Sequence, residues 1–151
     1  MTIKPNGWLP AALLLLVAFP AFAGLGGDYS SVTADRMKMQ ASVRMLPAQL
    51  QYSVHELQMP SGTIVREYVS PAGKVFAVTW HGPQMPDLQQ LFGSYFADYR
   101  NAAQAMPGRH GPLLIDQLGL VIRSGGHMRA FSGLAYVPQL MPPGIAVDQI
   151  K

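Results

Sequence analysis

The sequence predicts an α+β domain. It calls for an antiparallel sheet of about five strands, a three-strand meander and a two-strand hairpin, with a long helix packed on one face. Three observations carry this. Two x-Pro-x-Gly turns, Met59-Pro-Ser-Gly62 and Ser70-Pro-Ala-Gly73, separate three short runs rich in β-favouring residues. Pro86 to Met106 repeats its apolar residues at the three-four spacing of a helix. Two more apolar runs flank Arg123-Ser-Gly-Gly-His-Met-Arg-Ala-Phe-Ser-Gly133, whose paired glycines suit a tight hairpin turn.

The chain of 151 residues is long enough for one domain. Residues 1–23 have the layout of a signal peptide: Lys4 supplies charge, Leu9 to Phe19 is apolar, and Ala21-Phe22-Ala23 is a small-x-small cleavage pattern. The alternative is an uncleaved anchor, although the apolar run is short for a membrane span. Cleavage after Ala23 would leave a single exported domain, 24–151, with no further span, in the periplasm or secreted. The sequence has no cysteine, which excludes disulfides, iron–sulfur clusters and thiolate zinc sites. Without Lys4, ten basic side chains face eight acidic ones. A charge of +2 is too small to imply nucleic acid or an anionic membrane as partner.

Ser30 to Met45 reads as a short helix, with Asp35 early in it and Pro47 closing it, although Val32 and Val43 suit a strand as well. Tyr52 to Gln58, Thr63 to Val69 and Lys74 to His81 are the meander strands. In the long helix, Leu88, Leu91, Phe92, Tyr95, Phe96, Tyr99, Ala102, Ala103 and Met106 share one face. Pro86 and Asp87 suit its start, Pro107-Gly108 its stop, and Gly93 is a mild flaw inside it. Leu113 to Arg123, with a bulge at Gly119, and His127 to Val137 form the hairpin, turning at Gly125-Gly126. The proline-rich tail from Pro138 wraps over the surface.

Several strings together resemble an exported bacterial family known as domain-of-unknown-function family 2844. They are Ser31-Val32, Arg66-Glu67-Tyr68, Pro71-Ala72-Gly73, Val75-Phe76, Trp80, Gly82-Pro83, Pro86-Asp87-Leu88 and Ser124-Gly-Gly-His-Met-Arg129. The resemblance covers nearly all of the chain after residue 23. An arginine often follows the later glycine in that family; here Leu134 stands there. The resemblance implies export and one domain, and it implies no activity, cofactor or catalytic residue.

Candidate chemistry is thin. His55-Glu56 begins like a zinc-protease motif, but Met59 stands where the second histidine belongs and the segment alternates like a strand. His81, His110 and His127 with Asp87 lack metal-ligand spacing. Met37-x-Met39 suits Cu(I) but also suits a helix packing face. Ser124 and Ser132 sit outside a Gly-x-Ser-x-Gly elbow. No phosphate loop or dinucleotide fingerprint appears, so no cofactor is expected.

Two-residue turns would place His55, Arg66, Tyr68 and Thr79 on one sheet face. Glu67 would join Val65, Val78 and Trp80 on the more apolar face beneath the helix. A carboxylate there needs a partner, and Arg123 or Arg129 is the natural one. Arg129 would share a face with His127. The leading expectation is therefore a non-enzymatic binding or envelope-assembly module that engages a protein or envelope component. Its candidate residues are His55, Arg66, Glu67, Tyr68, Trp80, His81, His127 and Arg129, with the His55–Arg66–Tyr68–Thr79 face as the binding surface. The alternative is an enzyme or small-ligand binder with a pocket around Glu67, His127 and Arg129. A copper or zinc carrier is a third reading.

Overall fold

A computed structural model describes residues 24–106, 112–117 and 119–151. Residues 1–23, on which the signal-peptide expectation falls, the Pro107-Gly108 helix stop and His110 lie outside them. Helix α1 (Ser30–Lys38) leads into β1 (Ser42–Met45), β2 (Ser53–Gln58), β3 (Ile64–Val69) and β4 (Val75–Gly82). Helix α2 (Leu88–Phe92), a 3-10 turn (Gly93–Tyr95) and α3 (Phe96–Gln104) follow, then β5 (Leu113–Gln117), β6 (Leu120–His127) and β7 (Ala130–Tyr136). The α+β class and the antiparallel sheet stand. The sheet has seven strands, however, in the order β1-β2-β3-β4-β7-β6-β5, where about five were expected.

Both additional strands come from segments assigned to a single element. The helix expected over Ser30 to Met45 stops at Lys38. Gln40 takes a left-handed φ of 52°, and Ala41 N–H reaches back to Arg36 O at 2.9 Å. That is a Schellman ending with glutamine in the place usually held by glycine. The residues beyond it are free to form β1, so Val43 belongs to a strand. Likewise Leu113 to Arg123 is no single bulged strand: the chain reverses at Gly119, and β5 pairs back on β6 with Gln117 opposite Leu120.

The long helix is also interrupted. Gly93 adopts φ 52° and ψ −122°, which no helix contains, and splits the segment into α2 and α3. The apolar face still packs inward: Leu91 and Phe92 are fully buried and Ala102 nearly so.

The sheet is covered on both sides. One face carries Leu57, Val65, Val78, Trp80, Ile115 and Ile122 beneath the helices. The other carries Val54, Tyr68, Phe76, Ala77, Val121 and Tyr136, and the tail lays Ile145, Val147 and Ile150 on it as expected. Where β4 meets β7, Trp80 pairs with Gly133. A Cβ on Gly133 would overlap the six-membered part of the indole, so this glycine is a shelf for the ring. On its outer side the ring meets Phe92, with centroids 5.9 Å apart. Gly133→Ala should push the indole into Phe92 and lower stability by about 1–3 kcal/mol, as overpacking does. Chemical denaturation would measure it, and an unchanged midpoint would place the ring elsewhere.

Candidate functional site

A buried polar arrangement lies where α1 meets β3. Ser31, Val32 and Asp35 are the buried side of α1. Asp35 meets Glu67, which sits on β3 between His55 of β2 and Val78 of β4. Both carboxyl side chains are 0% exposed. The Gln90 amide, from α2, donates to Asp35 Oδ1, and Lys38 Nζ donates to Gln90 Oε1 at 2.6 Å. Neither oxygen of Glu67 has an N–H or O–H donor of the ordinary kind among the described residues.

Two ionised carboxylates cannot share such a place without a cation. A shared proton resolves this, because a carboxylic acid on one residue donates to a carboxylate on the other. Burial pushes the Glu67 carboxyl well above its ordinary range, and contact with Asp35 pushes it further. Burial also raises Asp35, against the pull of Glu67, Gln90 and Lys38, with Asp87 adding to the rise. The proton belongs to the pair rather than to either residue.

Around the pair, the His55 ring meets Tyr29 edge-on at 5.2 Å, and burial lowers its pKa. Its Nε2 lies 3.5 Å from Ser53 Oγ. Trp80 Nε1 and Ser31 Oγ are buried without a partner among the described residues. Enclosed as it is, the carboxyl pair touches no solvent and is chemically a proton-bridged clamp between α1 and β3.

This geometry corrects two expectations. Glu67 is answered by Asp35, and neither Arg123 nor Arg129 anchors it; both arginines are exposed. His55 lies on the helix face with Glu67, opposite the face that holds Arg66 and Tyr68. The cause is loop length. Met59 N–H donates to Thr63 O at 2.9 Å, so three residues, not two, lie inside the first turn, and β2 shifts by one residue against β3. A one-residue shift exchanges the faces of a strand. The second turn is likewise closed by Ser70 and Lys74, and a bulge at Tyr68/Val69 adds another step. Two steps restore the faces, so Arg66, Tyr68, Ala77 and Thr79 remain together.

The face expected to bind a partner is already occupied. Tyr68 and Thr79 are buried, and Arg66 is half-buried. Arg66 Nη1 donates to the Lys151 carbonyl at 2.8 Å, and the Tyr68 hydroxyl contacts the same oxygen. Beside them Glu56 accepts from Arg66 at 2.9 Å and from Arg44 at 2.7 Å. Burial would raise the Glu56 carboxyl, but the two guanidiniums outweigh it and hold it below its ordinary range.

The turn at the end of β6 and β7 lies three residues later than Gly125-Gly126. Those glycines are within the ladder, opposite Ser132 and Phe131, and His127 pairs with Ala130. Met128 and Arg129 make the turn, with Arg129 at φ 66°. A side chain at Gly126 would collide with the Ala130 carbonyl, and φ there is 131°, so the slip follows from steric need as well as pairing. His127, Met128 and Arg129 are all exposed. They are therefore apart from sealed Glu67, and the three do not form one pocket. The groove beside the stem, about 440 Å³, is lined by Pro112, Leu113, Leu114, Arg123, Ser124, Gly125 and Ser132. Trp80 belongs to the core, and His81 is exposed at the far end of β4.

Among the described residues, no cluster of three or more His, Cys, Asp or Glu could hold a metal, and no helix is long and apolar enough to cross a membrane. Asp35 was not among the candidates. The signal for it was the spacing Ser31-Val32, Asp35, Met39, which puts an acid in the middle of a helix's packing side.

Residues 21–150 match the family described as Protein of unknown function (DUF2844). The chain belongs to that family. No curated protein and no solved structure matches it. The strings that resemble family 2844 occupy core and turn positions here: Trp80 in the helix-side layer, Arg66-Glu67-Tyr68 on the inner strand β3, and His127-Met128-Arg129 at the hairpin tip.

The carboxyl pair has a consequence for pH. A carboxyl that binds its proton more tightly folded than unfolded contributes stability in full at low pH and loses it as pH rises. The unfolded groups titrate near 3.8 and 4.5, so the loss begins there and continues to the raised folded range. Glu56 and His55, whose pKa values are lowered, act in the opposite sense and weaken the fold as pH falls below their ordinary values of 4.5 and 6.5. Glu67→Gln supplies a permanent donor to Asp35 and should reduce the decline on the alkaline side. Thermal melts from about pH 4 to pH 8 should show a smaller fall in Tm for the variant than for the wild type. Equal slopes would mean that another group titrates.

Proposed function

We propose that this chain is an exported, non-enzymatic binding module of the cell envelope, and that the β6–β7 hairpin tip is a surface it presents to a protein or envelope partner. The observation that carries the reading is the tip itself. Met128 is 86% exposed, and Arg129, a non-glycine residue, holds a left-handed backbone at φ 66°. That conformation costs an L-residue about 1–2 kcal/mol relative to the right-handed one. Stability alone would favour glycine at 129 and a polar residue at 128. An exposed thioether and guanidinium on a strained turn, held by a stem in which Gly126 and Gly133 admit no side chain, is instead an arrangement suited to recognition. The separation of Glu67 from His127 and Arg129 weighs against a shared ligand pocket, and the enclosure of the carboxyl pair weighs against catalysis there.

Export rests on the charge, apolar run and small-x-small pattern of residues 1–23. Mass spectrometry of the cellular protein should find a chain that begins at Gly24; an intact Met1–Lys151 chain would refute export with cleavage.

Arg129→Gly and Met128→Ser test the tip. Arg129→Gly should raise stability by about 1 kcal/mol, since glycine adopts the left-handed region freely. Immunoprecipitation from the envelope fraction should recover with wild-type protein a partner that both variants lose. Variants that recover the same proteins in equal amount would sink the role of the tip.

A further inference from the structure

The sheet ends in two open edges, and the β1 edge differs from an ordinary protected one. Leu46 N–H donates to Val54 O at 2.9 Å, which fixes the alternation of the ladder. Arg44 and Ser42 therefore bond to β2, whereas the N–H and C=O groups of Val43 and Met45 point away from the sheet. Among the described residues nothing pairs with them. All four residues of β1 are exposed.

The side chains around this edge are apolar and cationic. Val43 and Met45 lie on the helix face, paired with Leu57 and His55. Met45 is 58% exposed, and Tyr29, which touches His55, is half exposed. Arg36 follows Asp35 on α1, about 100° round the helix from the buried carboxyl. By the same periodicity it shares the side that carries Tyr29, which is the side of α1 nearest β1. On the opposite face, Arg44 and Arg66 meet the single carboxylate of Glu56, leaving an excess of positive charge. A groove of about 350 Å³ runs there, lined by Ser42, Val43, Arg44, Glu56, Gln58 and Ile64. Asp35 is sealed, and Asp28 is paired with Lys74 at 2.7 Å, so neither offsets Arg36 or Arg44.

We infer that the β1 edge is a strand-addition site for an extended, acidic segment of a partner protein. Such a segment would complete the outward hydrogen bonds of Val43 and Met45. Its alternate side chains would divide between the two faces, apolar ones against Val43, Met45 and Tyr29 on the helix face and carboxylates toward Arg44 on the other, with Arg36 adding positive charge beside the helix-face half. The site is separate from the hairpin tip, which lies at the end of the β6–β7 ladder, so either surface can fail its test without deciding the other.

Two synthetic peptides of equal length, one alternating Glu and Val and one alternating Lys and Val, probe the edge by fluorescence anisotropy on the purified protein. The acidic peptide should bind, more weakly as salt increases, and the basic one should not. Val43→Pro removes an outward N–H and leaves the β1–β2 bonds in place, because edge strands accept proline where no ladder bond is needed. It should weaken binding roughly tenfold or more with the Tm retained. Arg36→Glu should do the same through charge alone and stands in if Val43→Pro loses its Tm. Equal binding of both peptides, binding of neither, or wild-type affinity in Val43→Pro and Arg36→Glu would overturn the proposal. So would self-association in sedimentation that Val43→Pro abolishes, since the occupant would then be a second copy, adding its other edge, β5, with exposed Leu114 and Asp116.

Discussion

The structure depends on a carboxyl pair that must hold a proton. Glu67 occupies the central region of a seven-stranded sheet, on the face that packs against the helices, where no water reaches it. An isolated carboxylate would be very costly there, and a neutral acid without an acceptor would still lack a partner. Asp35 supplies the acceptor, and Gln90, held in turn by Lys38, supplies a donor to Asp35. Through this chain one contact joins three elements, α1, α2 and β3. It also explains the position of α1: a short helix with few apolar residues, Val32 and Met39 among them, has limited surface to bury, and the polar clamp fixes where it sits. Buried polar networks of this kind specify a unique arrangement more than they add net stability.

Covering of the sheet follows from the same economy of material. The helices occupy one face, and the tail occupies the other, fastened where Arg66 and Tyr68 meet the last carbonyl. Glu56 is the counterpart of Glu67 on this second face, but with a different solution. It lies at the rim, meets two guanidiniums and stays ionised, where Glu67 must share a proton. Two acids a short distance apart in sequence, on neighbouring strands and opposite faces, thus take opposite protonation states because one has cations in reach and the other has an acid.

Much of this was legible in the sequence, and the failures have common causes. Both Pro-x-Gly turns form, and the three meander strands lie where alternation put them. The face assignments failed at β2 because a Pro-x-Gly string accommodates either two or three loop residues, and the hydrogen bond from Met59 to Thr63 decides for three. Composition alone does not distinguish the two. The Gly125-Gly126 turn failed for a related reason: a glycine permits a turn but does not require one. Here Gly126 answers to the Ala130 carbonyl and Gly133 to the Trp80 ring, which are tertiary demands. Gly93 and Gln40 broke elements that periodicity would have continued. Of the candidate site, His127 and Arg129 were assigned to one strand after the Gly125-Gly126 turn, whereas His127 ends β6 and Arg129 forms the turn itself; their link to Glu67 fell with the register, and Asp35 was missed because its helix was judged by its apolar residues.

The arrangement as a whole narrows where recognition is physically available. Both faces of the sheet are covered, the carboxyl pair is closed off, and the indole of Trp80 is sandwiched between Gly133 and Phe92. Among the described residues, the β1 edge, the β5 edge and the tip of the β6–β7 hairpin are open parts of the sheet. An edge normally protects itself with charge. Arg44 does part of that work, but its guanidinium is drawn toward Glu56, so it guards the tail-side face and leaves Val43 and Met45 uncovered on the other. Protection against self-pairing by like charge and recognition of an oppositely charged strand are the same electrostatic property seen by two different partners. A positive edge repels another copy of itself and attracts an acidic segment, which makes selectivity at β1 a matter of partner charge once the outward backbone groups are there to be paired.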